Sequence, residues 1–235
     1  MREDNQADGG DGLAPVHEQR SLHLGNTLAP GAGVTATRVV HAPDDVAREL
    51  NVLGIPPDDL TTLRRRAACC RASCHEHHPP SYPGIVAWAE HVRGLRDLLV
   101  PLGWRVTNES NLPLIASPDG RYRIAACTGD EETGLWIEAQ PRTQHPRGPA
   151  TTTEIAGNLQ LALDFGPSFV EHAFWILLSH FDGCRHRAEL SLPTVVSDGG
   201  TILKWHTRII LPSLTLVAPQ STLDDASPSA LGLLP

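Results

Sequence analysis

The stretch AFWILLSHFDGCRHRAELSL, residues 173–192, decides the fold class of this chain. Two runs of strand length flank Asp182-Gly183, a dipeptide typical of the two-residue turn of a β-hairpin. If Phe181 lies opposite Cys184 across this turn, one face of the hairpin belongs on a core. That face carries Trp175, Leu177, Phe181, Cys184, Ala188 and Leu190. The stretch therefore predicts an antiparallel hairpin with one buried side.

Further strand patterns lie on both sides of this hairpin. Residues 112–117 and 121–128 flank Pro118-Asp119-Gly120, residue types that a tight turn selects. Residues 202–211 alternate, which predicts a strand with one apolar side, formed by Leu203, Trp205, Ile209 and Leu211. A short strand is expected at 135–137. Together these patterns predict an antiparallel sheet of five or six strands.

Two apolar stripes predict an N-terminal helical hairpin. From Pro57, apolar residues recur at steps of three and four, and the same spacing recurs from about Pro83 to Val100. The first stripe consists of Leu60, Leu63, Ala67, Cys70 and Cys74. We expect Arg93 and Asp97 to pair on the exposed side of the second helix. Thr151 and Glu154 form a capping box that predicts a further short helix ending near Gly166, so the fold class is α+β.

Composition indicates one domain between two tails. Residues 1–35 and 218–235 have no apolar periodicity and are expected to be disordered, which leaves residues 36–217 as a single α+β domain. With 19 basic and 27 acidic residues, the net charge is -8. No apolar run approaches the roughly 20 residues of a membrane helix, and the N-terminus lacks a secretory core. The sequence therefore predicts a cytoplasmic protein that does not contact a membrane.

The second face of the predicted sheet is the leading candidate binding site. Its polar side chains come from three neighbouring strands and are mostly basic, and they share the face with Phe174, Ile176 and Leu178. Either a helix half covers such a mixed surface, or the surface binds RNA, DNA or an acidic protein. The candidate binding residues are His180, Arg185, Arg187, Lys204, His206 and Arg208.

Three other clusters have both a chemical and a structural interpretation. Cys70, Cys74, His77 and His78 are ligand types for zinc or copper, but the thiols also continue a helical stripe and the histidines suit a helix C-terminus, so we predict no metal. Arg64-Arg65-Arg66 is interpreted mostly as a solvated helix face, and otherwise as a phosphate contact. The acidic segment 129–134 is interpreted as a surface loop, and otherwise as a cation or acid/base site.

The common catalytic motifs are missing from the sequence. It contains no Gly-x-Ser-x-Gly, Walker loop, Gly-x-Gly-x-x-Gly after a strand, or His-Glu-x-x-His. Cys184 with His186 or His180 is formally a nucleophile pair, but a thiol on a core face is expected to be unreactive. We therefore predict no catalytic residue and no cofactor.

The strings GIVAWAEHVRGLRDLLVPLGW, SPDGRYRIAACTGDEETG, HPRGPAT and WILLSHFDGCRHRAELSLP resemble a group of small uncharacterised proteins of plasmids and integrative elements in GC-rich bacteria. The resemblance covers about residues 54–212 and implies a mobile-element context without an activity. The leading hypothesis is a non-catalytic accessory protein that contacts a protein partner through the sheet face and the helical hairpin. The alternatives are a nucleic-acid-binding protein using the basic face, and a metal-binding protein or metal-dependent hydrolase.

Overall fold

The computed structural model describes residues 36–136, 140–162 and 172–216, with side chains to residue 159 in the second range. Within these residues the chain forms seven strands and four α-helices, plus short 3₁₀ turns at Val100–Leu102 and Glu109–Asn111. In chain order the elements are β1 (Arg38–Val40), α1 (Pro43–Val52), α2 (Pro57–Ala72), α3 (Tyr82–Leu99), β2 (Arg105–Thr107), β3 (Leu114–Ala116), β4 (Tyr122–Thr128), α4 (Pro149–Ala162), β5 (Ala173–Phe181), β6 (Arg185–Val196) and β7 (Ile202–Thr215).

The strands form one mixed sheet in the order β1-β7-β6-β5-β4-β3-β2. The α+β class is as expected, but the prediction of five or six antiparallel strands is wrong, because β1 pairs with β7 and β4 pairs with β5 in parallel. The chain between β4 and β5 includes α4, and a crossover of this kind is what parallel neighbours require. The three-residue edge strands β1 and β2 are too short to show a period of two.

The β5–β6 hairpin has the predicted faces in a shifted register. Phe181 pairs with His186 rather than with Cys184, and Leu177 pairs with Leu190. The turn residues are Gly183, at φ +82°, and Cys184, because the Asp182 carboxylate accepts the Arg185 N–H at 3.0 Å. A shift of two residues keeps every other side chain on its expected face. It also moves Cys184 from the expected core position to an exposed turn.

Helices α1, α2 and α3 cover one face of the sheet. Their apolar residues, among them Leu50, Leu63 and Leu95, pack with Trp175 and Leu190 in one core cluster. Helices α2 and α3 lie where the two stripes predicted them, and Arg93 and Asp97 pair at 2.9 Å as expected. Helix α1 was not predicted from the sequence, although it begins at a proline and carries two acidic residues in its first turn.

Helix α4 packs against the opposite face. Its Ile155 lies in a second core cluster with Phe174, Ile176 and Leu178, the apolar residues expected on that face. The expected capping box is wrong, because the helix begins at Pro149 and Glu154 instead binds Arg123 and His172 at 2.7 and 2.8 Å. The expected end of this helix near Gly166 lies outside the described residues.

The β7 strand departs from regular alternation. Trp205 is buried in the α4 cluster, whereas Ile209 and Leu211 are buried on the three-helix side and Leu203 is 46% exposed. The expected shared face of these four residues is therefore wrong, since pairing with β6 is irregular between Leu192 and Val196 and each irregularity can rotate the chain. Leu135 and Trp136, expected in a short strand, are not in one, and Ile137 lies outside the described residues.

Candidate functional site

The six predicted binding residues differ strongly in exposure. Arg187 and Arg208 are buried, with 8% and 0% of their surface exposed. Arg185 and Lys204 are exposed, and His180 and His206 are half-buried. The sheet face that carries this set is therefore only partly open to solvent.

Arg208 is neutralised inside the protein. Its Nη2 and Nε lie 2.7 and 3.1 Å from the two carboxylate oxygens of Glu189, which is also fully buried. Glu189 accepts further hydrogen bonds from the Ser191 hydroxyl at 2.7 Å and the Gly134 N–H at 2.9 Å, and Arg208 Nη2 donates to the Leu135 carbonyl at 3.1 Å. The pair thus holds the segment after β4 against the sheet.

The residues that do reach solvent form two separate groups. Arg185 pairs with Thr215 at one end of the β6–β7 ladder, and Lys204 pairs with Val195 near the other end. At roughly 3.3 Å per strand residue, the two ends are about 30 Å apart. Between them, Arg187 lies 3.4 Å from the Asp182 carboxylate. The basic face stays a prediction as a binding site, but the structure does not place its six members in one exposed patch.

An acidic groove opens beside this face. It has a volume of about 500 Å³ and lies between the segment after β4 and the start of β7. Asp130 shapes the groove, because its carboxylate accepts the Arg142 N–H at 2.9 Å while its own N–H donates to the Arg142 carbonyl at 3.0 Å. The lining residues are Asp130, Glu131, Glu132, Gln140, Arg142, Ile202 and Leu203.

The groove combines negative charge with an apolar wall. Three carboxylates oppose one guanidinium, that of Arg142, and Leu203, which is exposed, supplies aliphatic surface over the buried Ile202. Such a site favours a long cationic side chain, whose charged end reaches the carboxylates while its alkyl stem packs on the wall. The sequence analysis identified the acids but interpreted them mostly as a solvated loop, since only the fold brings residues 140–142 and 202–203 next to them.

The cysteine and histidine cluster of residues 69–78 is spread over the end of α2 and the loop that follows. Cys70 and Cys74 are half-buried rather than core residues, and Cys74 lies beyond the last helical residue, Ala72. His77 and His78 are exposed, and the His78 ring stacks on Tyr82 at 4.4 Å. Among all described residues, no three His, Cys, Asp or Glu side chains are grouped in a way that could hold a metal ion.

Arg64 lies where the sequence analysis did not expect it. Arg65 and Arg66 are exposed as expected, but Arg64 is only 1% exposed and donates to the carbonyls of Pro212 and His186 at 2.9 and 3.4 Å. Burial, with a smaller contribution from neighbouring Arg65, lowers the pKa of Arg64 to about 10. Its apolar neighbours at steps of three and four, Leu60 and Ala67, were the available signal for burial.

The thiols differ in accessibility. Cys184, formally paired with His186 or His180 in the sequence, is exposed in the hairpin turn. Cys127 is buried and accepts a hydrogen bond from Arg147 at 3.1 Å, and burial raises the pKa of its thiol despite that guanidinium. A raised pKa keeps Cys127 protonated, which is the unreactive form.

Comparison with known proteins gives no match: no family model, curated protein or solved structure is significantly similar to this chain. Among the described residues, no helix has both the length and the apolar content needed to cross a membrane.

Proposed function

We propose that this protein is a non-catalytic interaction module that binds a basic segment of a protein partner in the acidic groove. The observation that carries the proposal is the juxtaposition of three carboxylates with the exposed aliphatic side chain of Leu203 in a groove of about 500 Å³. This volume is within the range of pockets that hold small ligands or several side chains.

Charge favours a cationic protein segment over a nucleic acid. The three carboxylates of the groove create local negative potential that repels phosphates and attracts lysine or arginine. On the sheet face, the nucleic-acid alternative would depend on Arg185 and Lys204, which lie at opposite ends of the β6–β7 ladder.

The non-catalytic part of the proposal rests on the sequence, which lacks the common nucleophile, nucleotide and metalloprotease motifs. The association with a mobile genetic element rests on the resemblance alone.

The test measures direct binding of three fluorescent probes of the same length, each titrated alone: a peptide of alternating lysine and leucine, a glutamate–leucine peptide and single-stranded DNA. We expect saturable binding of the basic peptide that weakens with salt, and no binding of the acidic peptide. The variant Glu131→Gln/Glu132→Gln should bind about fivefold more weakly, because two surface ion pairs contribute roughly 1 kcal/mol together.

Asp130 stays unchanged in this variant because its carboxylate holds the loop together. The matched control is Glu76→Gln/Glu109→Gln, which removes two negative charges from exposed positions outside the groove. Equal affinity of the groove variant and the parent, or direct binding of DNA in place of the basic peptide, would refute the proposal.

A further inference from the structure

A cluster of basic side chains is buried between the helical hairpin and the sheet. Arg64 of α2, His91 of α3 and His186 of β6 are exposed by only 1%, 1% and 0%. The two imidazole rings lie 5.2 Å apart between centroids, and Arg64 contacts the His186 carbonyl. The cluster therefore joins the two layers of this half of the fold.

Most of the polar atoms in this cluster have no hydrogen-bond partner among the described residues. They are Arg64 Nε, His91 Nε2 and both ring nitrogens of His186. His91 Nδ1 lies 2.7 Å from the Ala87 carbonyl, which only accepts, so this nitrogen carries the proton and Nε2 is the unprotonated nitrogen of the neutral ring. A buried imidazole without an acceptor for a second proton is held in its neutral form.

The charges around the two rings are mainly positive. The facing groups are Arg64 and Arg71 from α2 and Glu90 from α3. Glu90 is already engaged by Arg93, whose Nη2 lies 2.6 Å from its carboxylate. On the β5 side, the Phe181 ring stacks on His186 at 4.2 Å and contributes no charge. A second or third positive charge in this cluster would have no free carboxylate to pair with.

Burial and the nearby Arg64 charge together lower the pKa of His91 to about 4. Burial, the neighbouring His91 ring and Arg64 together lower the pKa of His186 to about 2. The ordinary pKa of a histidine side chain in water is 6.5. Below that pH the packed cluster binds fewer protons than the separated side chains do, so acid favours separation. The effect develops as pH falls from 6.5 and is complete for His91 near pH 4.

We propose that the Arg64–His91–His186 cluster makes the docking of the α2–α3 hairpin on the sheet acid-sensitive, so that the hairpin separates from β6 in mild acid while the β5–β7 ladder stays intact. The helical layer is the part expected to open first, because it contributes two of the three basic groups and the sheet keeps its backbone hydrogen bonds. This proposal uses no groove residue and does not depend on the proposed binding function.

Hydrogen exchange followed by mass spectrometry at pH 7.5 and pH 5.5, corrected for the intrinsic exchange rate, tests the proposal. At pH 5.5 each histidine that becomes exposed should raise the opening equilibrium about tenfold, so peptides from residues 57–99 should open about 100-fold more. Peptides from residues 202–215 should keep their protection.

Two variants assign the effect to the histidines. His186→Phe keeps the stacked ring, and His91→Asn keeps a donor near the Ala87 carbonyl. Each substitution should make the increase in opening between pH 7.5 and pH 5.5 about tenfold smaller. His75→Asn, at an exposed position, should leave the response unchanged. If His91→Asn does not fold, as judged by near-ultraviolet circular dichroism at pH 7.5, His186→Phe carries the test alone. An unchanged response in His186→Phe, or equal loss of protection in residues 202–215, would overturn the proposal.

Discussion

The two faces of the sheet bury polar groups in opposite ways. On the three-helix face, His91 and His186 are buried, and three of their four ring nitrogens have no partner within the described structure. On the α4 face, Glu189 and Arg208 form a fully buried ion pair, and the ring of hydrogen bonds around them reaches the segment after β4.

Burial alone therefore does not determine how a polar side chain affects stability. Charges that are paired and hydrogen-bonded make the α4 face sensitive to the removal of one partner. Neutral imidazoles without partners make the three-helix face sensitive to proton concentration. Removing one charged partner should therefore destabilise the α4 face, whereas acid should destabilise the three-helix face.

The largest effect should come from Glu189→Gln on the α4 face. The substitution keeps the size of the side chain but leaves the buried Arg208 charge without its carboxylate, and we expect a loss of roughly 3–5 kcal/mol in the free energy of unfolding. Urea denaturation at pH 7.5 measures this change.

The control is the double variant Glu189→Met/Arg208→Met, which removes both charges. It should recover most of the loss, because a buried apolar pair of similar volume avoids the uncompensated charge. A double variant as unstable as the single one would mean that the ion pair is not the dominant interaction on this face.

A smaller effect is expected at Asn158, which joins α4 to the sheet. Its amide donates to the Phe174 and Pro193 carbonyls at 2.7 and 2.8 Å and accepts the Phe174 N–H at 2.8 Å. Asn158→Ala should cost roughly 2–4 kcal/mol, because it leaves buried backbone groups unpaired. Thermal unfolding measures the melting temperatures of Asn158→Ala and of Leu159→Ala, a variant at an exposed neighbouring position on the same helix. The comparison separates the loss of these hydrogen bonds from a change in helix propensity. Equal melting temperatures for the two variants would contradict it.

The smallest effect concerns packing on the three-helix face, where α2 and α3 approach closely. A Cβ added at Gly94 would lie 2.9 Å from the Cβ of Leu63, whereas one added at Gly84 of the same helix meets nothing within 4 Å. Gly94→Ala should destabilise the protein by about 1–2 kcal/mol, and Gly84→Ala should stabilise it by up to about 1 kcal/mol. Chemical denaturation of both variants measures the contrast, and the same sign for both would show that the interface can adjust.

The elements with long, regular patterns were predictable from sequence. The stripes of α2 and α3 and the alternation of β6 each repeat several times, and β5 is a continuous apolar run, so the elements follow from the sequence even where the hairpin turn is shifted by one position. The irregular end of β7 was not predictable, because a strand that loses its register exchanges its two faces.

The candidate sites were less predictable than the elements. The basic set was recognised residue by residue, but the burial of Arg208 depends on Glu189 and on Gly134, which is 55 positions away from Glu189 in the chain. The histidine cluster was missed, because Arg64, His91 and His186 show no common spacing and meet only through packing.

The α+β class, the two long helices and the β5–β6 hairpin follow from the order of the residues, since these elements depend on contacts between residues a few positions apart. The long-range contacts of the fold determine which charges are exposed, which strands pair in parallel and which distant residues line the groove. Local periodicity specifies which face of an element is apolar, whereas the partner of that face, and the charges it covers, depend on contacts between distant parts of the chain.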